Sequence, residues 1–167
     1  TGSRFFTDKQ PFNFRLVGLI HKILPQAIII DVVRNPMDCG LSLYKQYFHS
    51  GVSFSYDQNH IGEIYNAYTD LMTYWQKALP GKVYRLEYES LVSNPEVQLT
   101  RLLNHIGLPF EPACLAFYNS PRPVHTASSE QVRQPINRNG LGSWLPVADE
   151  LETLKRSLRA DLYNLAL

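Results

Sequence analysis

Apolar residues recur at helical spacing soon after the start of the chain. Phe14, Val17, Ile20 and Leu24, with Leu16, Leu19 and Ile23 beside them, fall on one face, and Pro25 ends the helix. A short strand-like run, Arg4–Thr7, precedes it. The period then changes: 27–33 is almost wholly β-branched or apolar and reads as a strand buried on both faces, as in parallel sheets. Asn35-Pro36-x-Asp38 is a helix start, with an N-cap, proline at the first helical position and an acid in the first turn. The longest helix carries Ile61, Ile64, Tyr65, Tyr68, Met72, Trp75 and Leu79 until Pro80-Gly81, and its aromatic stripe reads as core. Val83–Tyr88 predicts a third strand. Asn94-Pro95-Glu96 starts another helix through Leu99, Leu102, Leu103 and Ile106, stopped by Gly107 and Pro109. A short helix is expected near 112–118. A last amphipathic helix runs through Leu151, Leu154, Leu158 and Leu162.

Strand, helix and strand within about thirty residues form a βαβ unit, so the fold class is α/β: a parallel sheet flanked by helices. Such sheets bind ligands at the carboxyl ends of their strands. Between the elements, 119–141 is polar and shows neither period, which suits a functional loop or a merely solvated one. The 167 residues correspond to one domain. The chain begins at Thr1, without Met, and reads as strand within three residues, as expected of a piece of a longer product.

Composition narrows the chemistry. Sixteen Lys+Arg against fifteen Asp+Glu leave a formal net charge of +1, no general field for nucleic acid, so an anion must be gripped locally. Apolar runs are too short for a bilayer span, so no membrane association is expected. Cys39 and Cys114 suit neither a disulfide framework nor a zinc spacing, and are expected as free thiols in a reducing, cytoplasmic compartment. The five histidines form no ligand pair, so no metal is expected.

The strand tips carry the candidate chemistry. The first gives Lys9, the second Arg34 and the third Tyr88, all expected at one sheet edge. Arg34 abuts a helix N-terminus, and Ser42 lies two turns into that helix. A guanidinium, a hydroxyl and free N–H groups at the positive end of a helix dipole suit a phosphate. The competing reading is an Arg34–Asp38 pair at i, i+4 with Ser42 as polar surface. Glu87 and Glu89 flank Tyr88 on one strand face, as support for a turn. The long loop supplies donors in Thr126, Ser128, Ser129, Gln131, Arg133, Gln134, Asn137, Arg138 and Asn139, ending on Trp144, and could close over an anion as a lid. No Gly-rich phosphate loop or nucleophile elbow is present.

Four blocks in register carry a resemblance: Phe-Thr-Asp-Lys9-Gln-Pro; Val-Val-Arg34-Asn-Pro-Met-Asp-Cys-Gly-Leu-Ser42; Leu-Glu-Tyr88-Glu-Ser-Leu-Val-Ser-Asn-Pro95; and Thr126-Ala-Ser128-Ser-Glu-Gln131-Val-Arg-Gln-Pro135-Ile-Asn137, ending at Trp144. Together they resemble the sulfotransferase family, nearest to bacterial members joined to tetratricopeptide repeats and to the protein-tyrosine sulfotransferases. The resemblance covers essentially all of 1–167, read as a single partial domain with 119–141 as a cofactor-covering loop. It implies a nucleotide-kinase-like fold. It also implies transfer of a sulfuryl group from 3′-phosphoadenosine 5′-phosphosulfate (PAPS) to an acceptor hydroxyl or amine by in-line displacement, without a metal. By the same resemblance, Arg34 and Ser42 hold the 3′-phosphate, Lys9 sits near the sulfate-bridging oxygen, Tyr88 contacts the cofactor and Ser128 lies close to the transferred group. Ser129, Gln131, Arg133, Asn137 and Arg138 belong to the lid.

The departures set further expectations. The family's first strand, its phosphosulfate loop and its acceptor-activating base are expected upstream of Thr1. Position 143, usually basic in relatives, is Ser143, so that either Arg138 substitutes or the cofactor grip is weaker, and position 46 is Gln46 where tyrosine-directed relatives are basic. Loss of a strand from the sheet would bare an apolar edge open to self-association. The alternatives to an enzyme are a module that binds the nucleotide 3′-phosphate without transfer, and a protein-interaction scaffold.

Overall fold

A computed structural model of the chain describes residues 5–48, 51–120 and 131–163. A 3₁₀ turn, Pro11–Leu16, leads into α1 (Val17–Ile23), followed by β1 (Ile29–Val33), α2 (Pro36–Lys45), α3 (Gln58–Ala78), β2 (Val83–Glu87), α4 (Tyr88–Ser93) and α5 (Pro95–His105). Short 3₁₀ turns follow at Pro112–Cys114, Phe117–Asn119, Gln131–Arg133, Leu145–Val147 and Asp149–Leu151, and the described chain ends with α6 (Glu152–Ser157) and α7 (Ala160–Tyr163).

β1 and β2 are parallel, in a register that pairs Ile29 with Val83 and Val33 with Glu87. Side chains alternate, so Ile30, Val32, Tyr84 and Leu86 share one face and Asp31, Val33, Arg85 and Glu87 the other. Tyr68 of α3 covers the second face through its hydrogen bond to Asp31 at 2.6 Å. On the first face the Tyr84 ring lies 4.8 Å from that of His105 at the end of α5, and Leu86 is buried. The fold is therefore α/β, a parallel two-stranded sheet between helices.

The expected first strand is not formed: residues 5–7 are non-helical chain without a strand partner, and Phe6 is 76% exposed. Burial of 27–33 on both faces also fails, because α5 packs on β2 and leaves Ile30 and Val32 of β1 exposed. The far edge of β1 takes no strand among the described residues.

The core lies among helices, not in the sheet. Met37 and Leu41 of α2, Ile61 of α3, and Leu151, Leu154 and Leu158 form one buried cluster. All four leucines of the C-terminal stripe are buried as their spacing requires, yet the expected single helix divides in two. Asn66 of α3 causes the break: its Nδ2 donates to the Ser157 carbonyl at 2.8 Å, and its Oδ1 accepts the Arg159 N–H at 3.1 Å, in place of helical partners. Close approach at this seam rests on Gly62, where a Cβ would stand 1.9 Å from Ser157 Oγ and 3.1 Å from its backbone carbon. α3 starts at Asp57, whose carboxylate accepts the Asn59 and His60 N–H groups; those bonds hold its pKa below the ordinary carboxylate range. No helix of the described residues is long and apolar enough to cross a membrane.

Candidate functional site

The register of the sheet places the first two functional side chains. Val33 and Glu87 are paired and are the last residues of their strands, so the next residue on each, Arg34 and Tyr88, emerge side by side. The Arg34 guanidinium lies 5.0 Å from the centroid of the Tyr88 ring, a cation–π contact. Its Nη2 donates to the Gly140 carbonyl at 2.7 Å. Gly140 is a close fit: a Cβ there would stand 2.9 Å from the Tyr88 hydroxyl and 3.1 Å from Arg34 Nη2. The backbone around Arg34 is held as well. Its carbonyl accepts the Tyr65 hydroxyl, and the N–H of Asn35 donates to Glu89 Oε1 at 2.7 Å. Burial pushes the Tyr65 and Tyr68 phenols well above their ordinary range, so both remain protonated donors. Arg34 Nε is buried and has no hydrogen-bond partner among the described residues.

The α2 N-terminus corrects the sequence reading in one respect. Asn35 Oδ1 accepts the Met37 N–H at 2.9 Å and the Asp38 N–H at 3.1 Å, and Cys39 N–H closes the first helical bond to the Asn35 carbonyl. Pro36 has no N–H to offer. The expected free N–H groups are therefore already satisfied, and an anion beside Arg34 would be held by side chains.

Asp38 does not pair with Arg34. It is almost wholly buried and accepts three hydrogen bonds from the far side of the long loop: Gly142 N–H at 2.8 Å, Ser143 Oγ–H at 2.7 Å and Trp144 N–H at 3.1 Å. Ser143, where relatives are expected to be basic, thus supplies a hydroxyl to a buried carboxylate. Ser42 is exposed one turn further along the same face of α2 as Asp38.

The other expected residues fall as follows. Lys9 is exposed in the chain entering the first 3₁₀ turn, not at a strand tip, and has no ion pair among the described residues. Ser128 and Ser129, with Thr126, lie outside the described residues. Gln131 opens the turn Gln131–Arg133, and Arg133 donates to the Ser120 carbonyl near the start of the loop. Asn137 Oδ1 accepts the Asn139 N–H at 3.1 Å, and the Arg138 carbonyl accepts Leu141 N–H; both side chains are exposed. Tyr88 begins α4 instead of ending a strand, so Glu87 and Glu89 part: Glu87 bonds Ser90 and Glu89 bonds Asn35.

Sequence reasoning missed Gly140 and Tyr65 and assigned no site role to Asp38 or Glu89. Only Asp38 carried a signal, as the acid in the first turn of α2. A cleft of about 450 Å³ adjoins Arg34, with Asp31, Tyr65, Tyr68, Arg85 and Glu89 among its walls. Burial raises the Asp31 carboxyl above its ordinary range, opposed by the Tyr68 hydrogen bond and by Arg85. Cys39 and Cys114 are free, and burial pushes the Cys39 thiol up, away from thiolate chemistry. No cluster of metal-ligating side chains occurs among the described residues.

At the carboxyl ends of its parallel strands the domain gathers a guanidinium and an aromatic ring, beside the Gly140 carbonyl at the end of the long polar loop. Residues 1–112 match the sulfotransferase family, and the chain belongs to that family. It is 39% identical over 140 residues to an uncharacterised protein of Aquifex aeolicus, covering 82% of this chain and 18% of that protein. It is 24% identical over 160 residues to protein-tyrosine sulfotransferase 1 of Danio rerio, covering 86% of this chain and 42% of that one. It is 28% identical over 108 residues to the omega-hydroxy-beta-dihydromenaquinone-9 sulfotransferase Stf3 of Mycobacterium bovis, covering 60% and 28% respectively. The chain spans less than half the length of each of these three relatives.

Proposed function

We propose that this chain carries the nucleotide-holding part of a sulfotransferase that moves a sulfuryl group from PAPS to an acceptor hydroxyl or amine. The observation that carries the reading is Arg34: a strand-tip guanidinium stacked on Tyr88, with only some of its donors used and a buried Nε–H left unpartnered among the described residues. A doubly phosphorylated adenosine fits such a donor set, since guanidinium–phosphate bonds are charge-assisted and directional. The bound donor would supply the sulfuryl group and leave as the nucleotide.

In this reading Arg34 and Ser42 grip the 3′-phosphate and Tyr88 contacts the nucleotide. The Lys9 ammonium offsets negative charge that develops on the leaving phosphate. Ser128 lies close to the transferred group, while Ser129, Gln131, Arg133, Asn137 and Arg138 close over the nucleotide. Catalysis then comes chiefly from positioning and electrostatics.

Calorimetric titration with adenosine 3′,5′-bisphosphate tests the binding half, and a labelled-sulfate assay tests transfer. Arg34→Ala is expected to weaken nucleotide binding by about 10- to 100-fold, the worth of a charge-assisted hydrogen bond. Lys9→Ala should lower turnover by ~10²–10³ with little change in affinity. No binding by the unaltered chain, or equal losses of affinity in the two variants, would refute the roles assigned.

A further inference from the structure

Asp38 lies in the first turn of α2, a few residues after β1 ends at Val33, yet it takes three donors from 142–144, more than a hundred residues along the chain. Its carboxylate is nearly inaccessible, at 2% exposure. Removing such a group from water is compensated only when its lone pairs are satisfied, and here two main-chain N–H groups and one hydroxyl do so. The segment it fixes begins two residues after Gly140, whose carbonyl receives the Arg34 guanidinium and whose missing side chain leaves room for Tyr88 and Arg34. Trp144, the third donor, packs against the core cluster. The chain from Gly140 to Trp144 is thus pinned at three successive residues by one carboxylate and at its end by packing.

From this geometry we infer that Asp38 is a positioning residue of the anion site. By holding 142–144 against α2, it keeps the Gly140 carbonyl where Arg34 Nη2 can reach it, and so sets the direction of the guanidinium. Asp38 touches no ligand in this scheme; it acts through Gly140 on Arg34. The consequence for ligand affinity rests on the nucleotide-binding role proposed above, whereas the placement of Arg34 does not. Ser143 belongs to the same device: a lysine or arginine there would bring a charge in place of the hydroxyl that donates to Asp38 Oδ1.

Two measurements separate the claims. The first is free of ligand and follows proton exchange by nitrogen-resolved NMR in the unaltered chain and in Asp38→Asn. Exchange at the Gly142 and Trp144 amides and at the Arg34 Nε–H is expected to rise about tenfold in the variant, with the amides inside α3 unchanged. A merely structural role would accelerate α3 as well, and an unaltered Arg34 Nε–H would overturn the inference. The second measurement is affinity for adenosine 3′,5′-bisphosphate in a double-mutant cycle. Asp38→Asn should weaken binding about tenfold alone and have almost no effect when Arg34→Ala is already present. Equal losses in both backgrounds would show that Asp38 does not work through Arg34, and would overturn the inference too. If the unaltered chain binds no bisphosphate while the NMR result is as expected, the nucleotide reading falls and the positioning of Arg34 by Asp38 stands. Ser143→Ala, which removes one donor and leaves the carboxylate, gives the same readouts with smaller changes should Asp38→Asn not fold.

Discussion

α2 carries Asp38 and Ser42, and its seat on the core is set at Gly40. A Cβ at Gly40 would stand 2.5 Å from Leu154 Cδ2, 3.2 Å from Leu154 Cδ1 and 3.3 Å from Ile61 Cγ2. Leu154 is fully buried among Met37, Leu41, Ile61, Leu151 and Leu158, so its methyls have no free space to swing into. Overpacking of this kind costs about 1–3 kcal/mol. Against it, alanine inside a helix is favoured over glycine by about 1 kcal/mol, which leaves Gly40→Ala destabilising by about 0–2 kcal/mol. Leu154→Ala alone removes a fully enclosed side chain and should cost about 2–5 kcal/mol. In that background the obstructing methyls are gone and the new Cβ enters the cavity. Gly40→Ala should then stabilise by about 1 kcal/mol from helix propensity and up to another ~0.8 from the buried carbon. The same substitution goes from neutral or destabilising to stabilising with its neighbour, a coupling of about 1–4 kcal/mol. Urea unfolding of the four proteins, followed by circular dichroism, measures it. A cycle that closes to within about 0.5 kcal/mol, or a Gly40→Ala effect of the same sign in both backgrounds, would refute the packing argument.

Two further outcomes follow from the caps and the sheet. Asn35→Ala strips the side-chain acceptor from the Met37 and Asp38 N–H groups and should lower stability by about 1 kcal/mol, read as a lower urea midpoint; an unmoved midpoint would mean that water replaces the cap without cost. Burial raises the Asp31 pKa above the ordinary carboxyl value, so the folded state binds its proton more readily than the unfolded state does. The wild-type contribution is then fully present below the ordinary carboxyl range and is lost as pH rises through the folded value. Asp31→Asn, which keeps an acceptor for Tyr68, should therefore gain on the wild type in thermal melts as pH moves from acid to neutral, and a difference independent of pH would contradict the assignment.

What the residue pattern revealed and what it hid divide along a physical line. α2 and α3 were legible because capping and spacing are local: Asn35, Pro36 and Asp38 start α2, and Ile61 and Met72 of the α3 stripe are buried, although Ile64 between them is exposed. The strands β1 and β2 were legible for the same reason, and with them the meeting of Arg34 and Tyr88, which needs only that two parallel strands end in register. The terminal helix failed locally, because its break is made by Asn66, more than ninety residues away in the chain, and no period within 151–162 records that. The exposure of Ile30 and Val32 is likewise non-local: β-branched residues mark a strand but do not say which helix covers it. Asp38 looked like an ordinary first-turn acid, since its three donors lie beyond the long loop.

The satisfied N-terminus of α2 changes where the strength of the site must reside. A helix dipole with free N–H groups attracts an anion from many directions and tolerates small displacements. Here Asn35 has consumed those donors, so attraction at the strand tips falls to a guanidinium whose hydrogen bonds are directional. A directional donor is useful only if it is aimed. Arg34 is aimed by four groups from three separate parts of the chain: Tyr65 on its carbonyl, Glu89 on the next N–H, the neighbouring Tyr88 ring beneath its guanidinium and the Gly140 carbonyl on Nη2. The last of these contacts comes from the loop side, so ordering of the chain that ends at Trp144 and orientation of the cation are one event. An anion that binds Arg34 would therefore find the loop's end already in place, fixed by Asp38 from the same helix that carries Ser42.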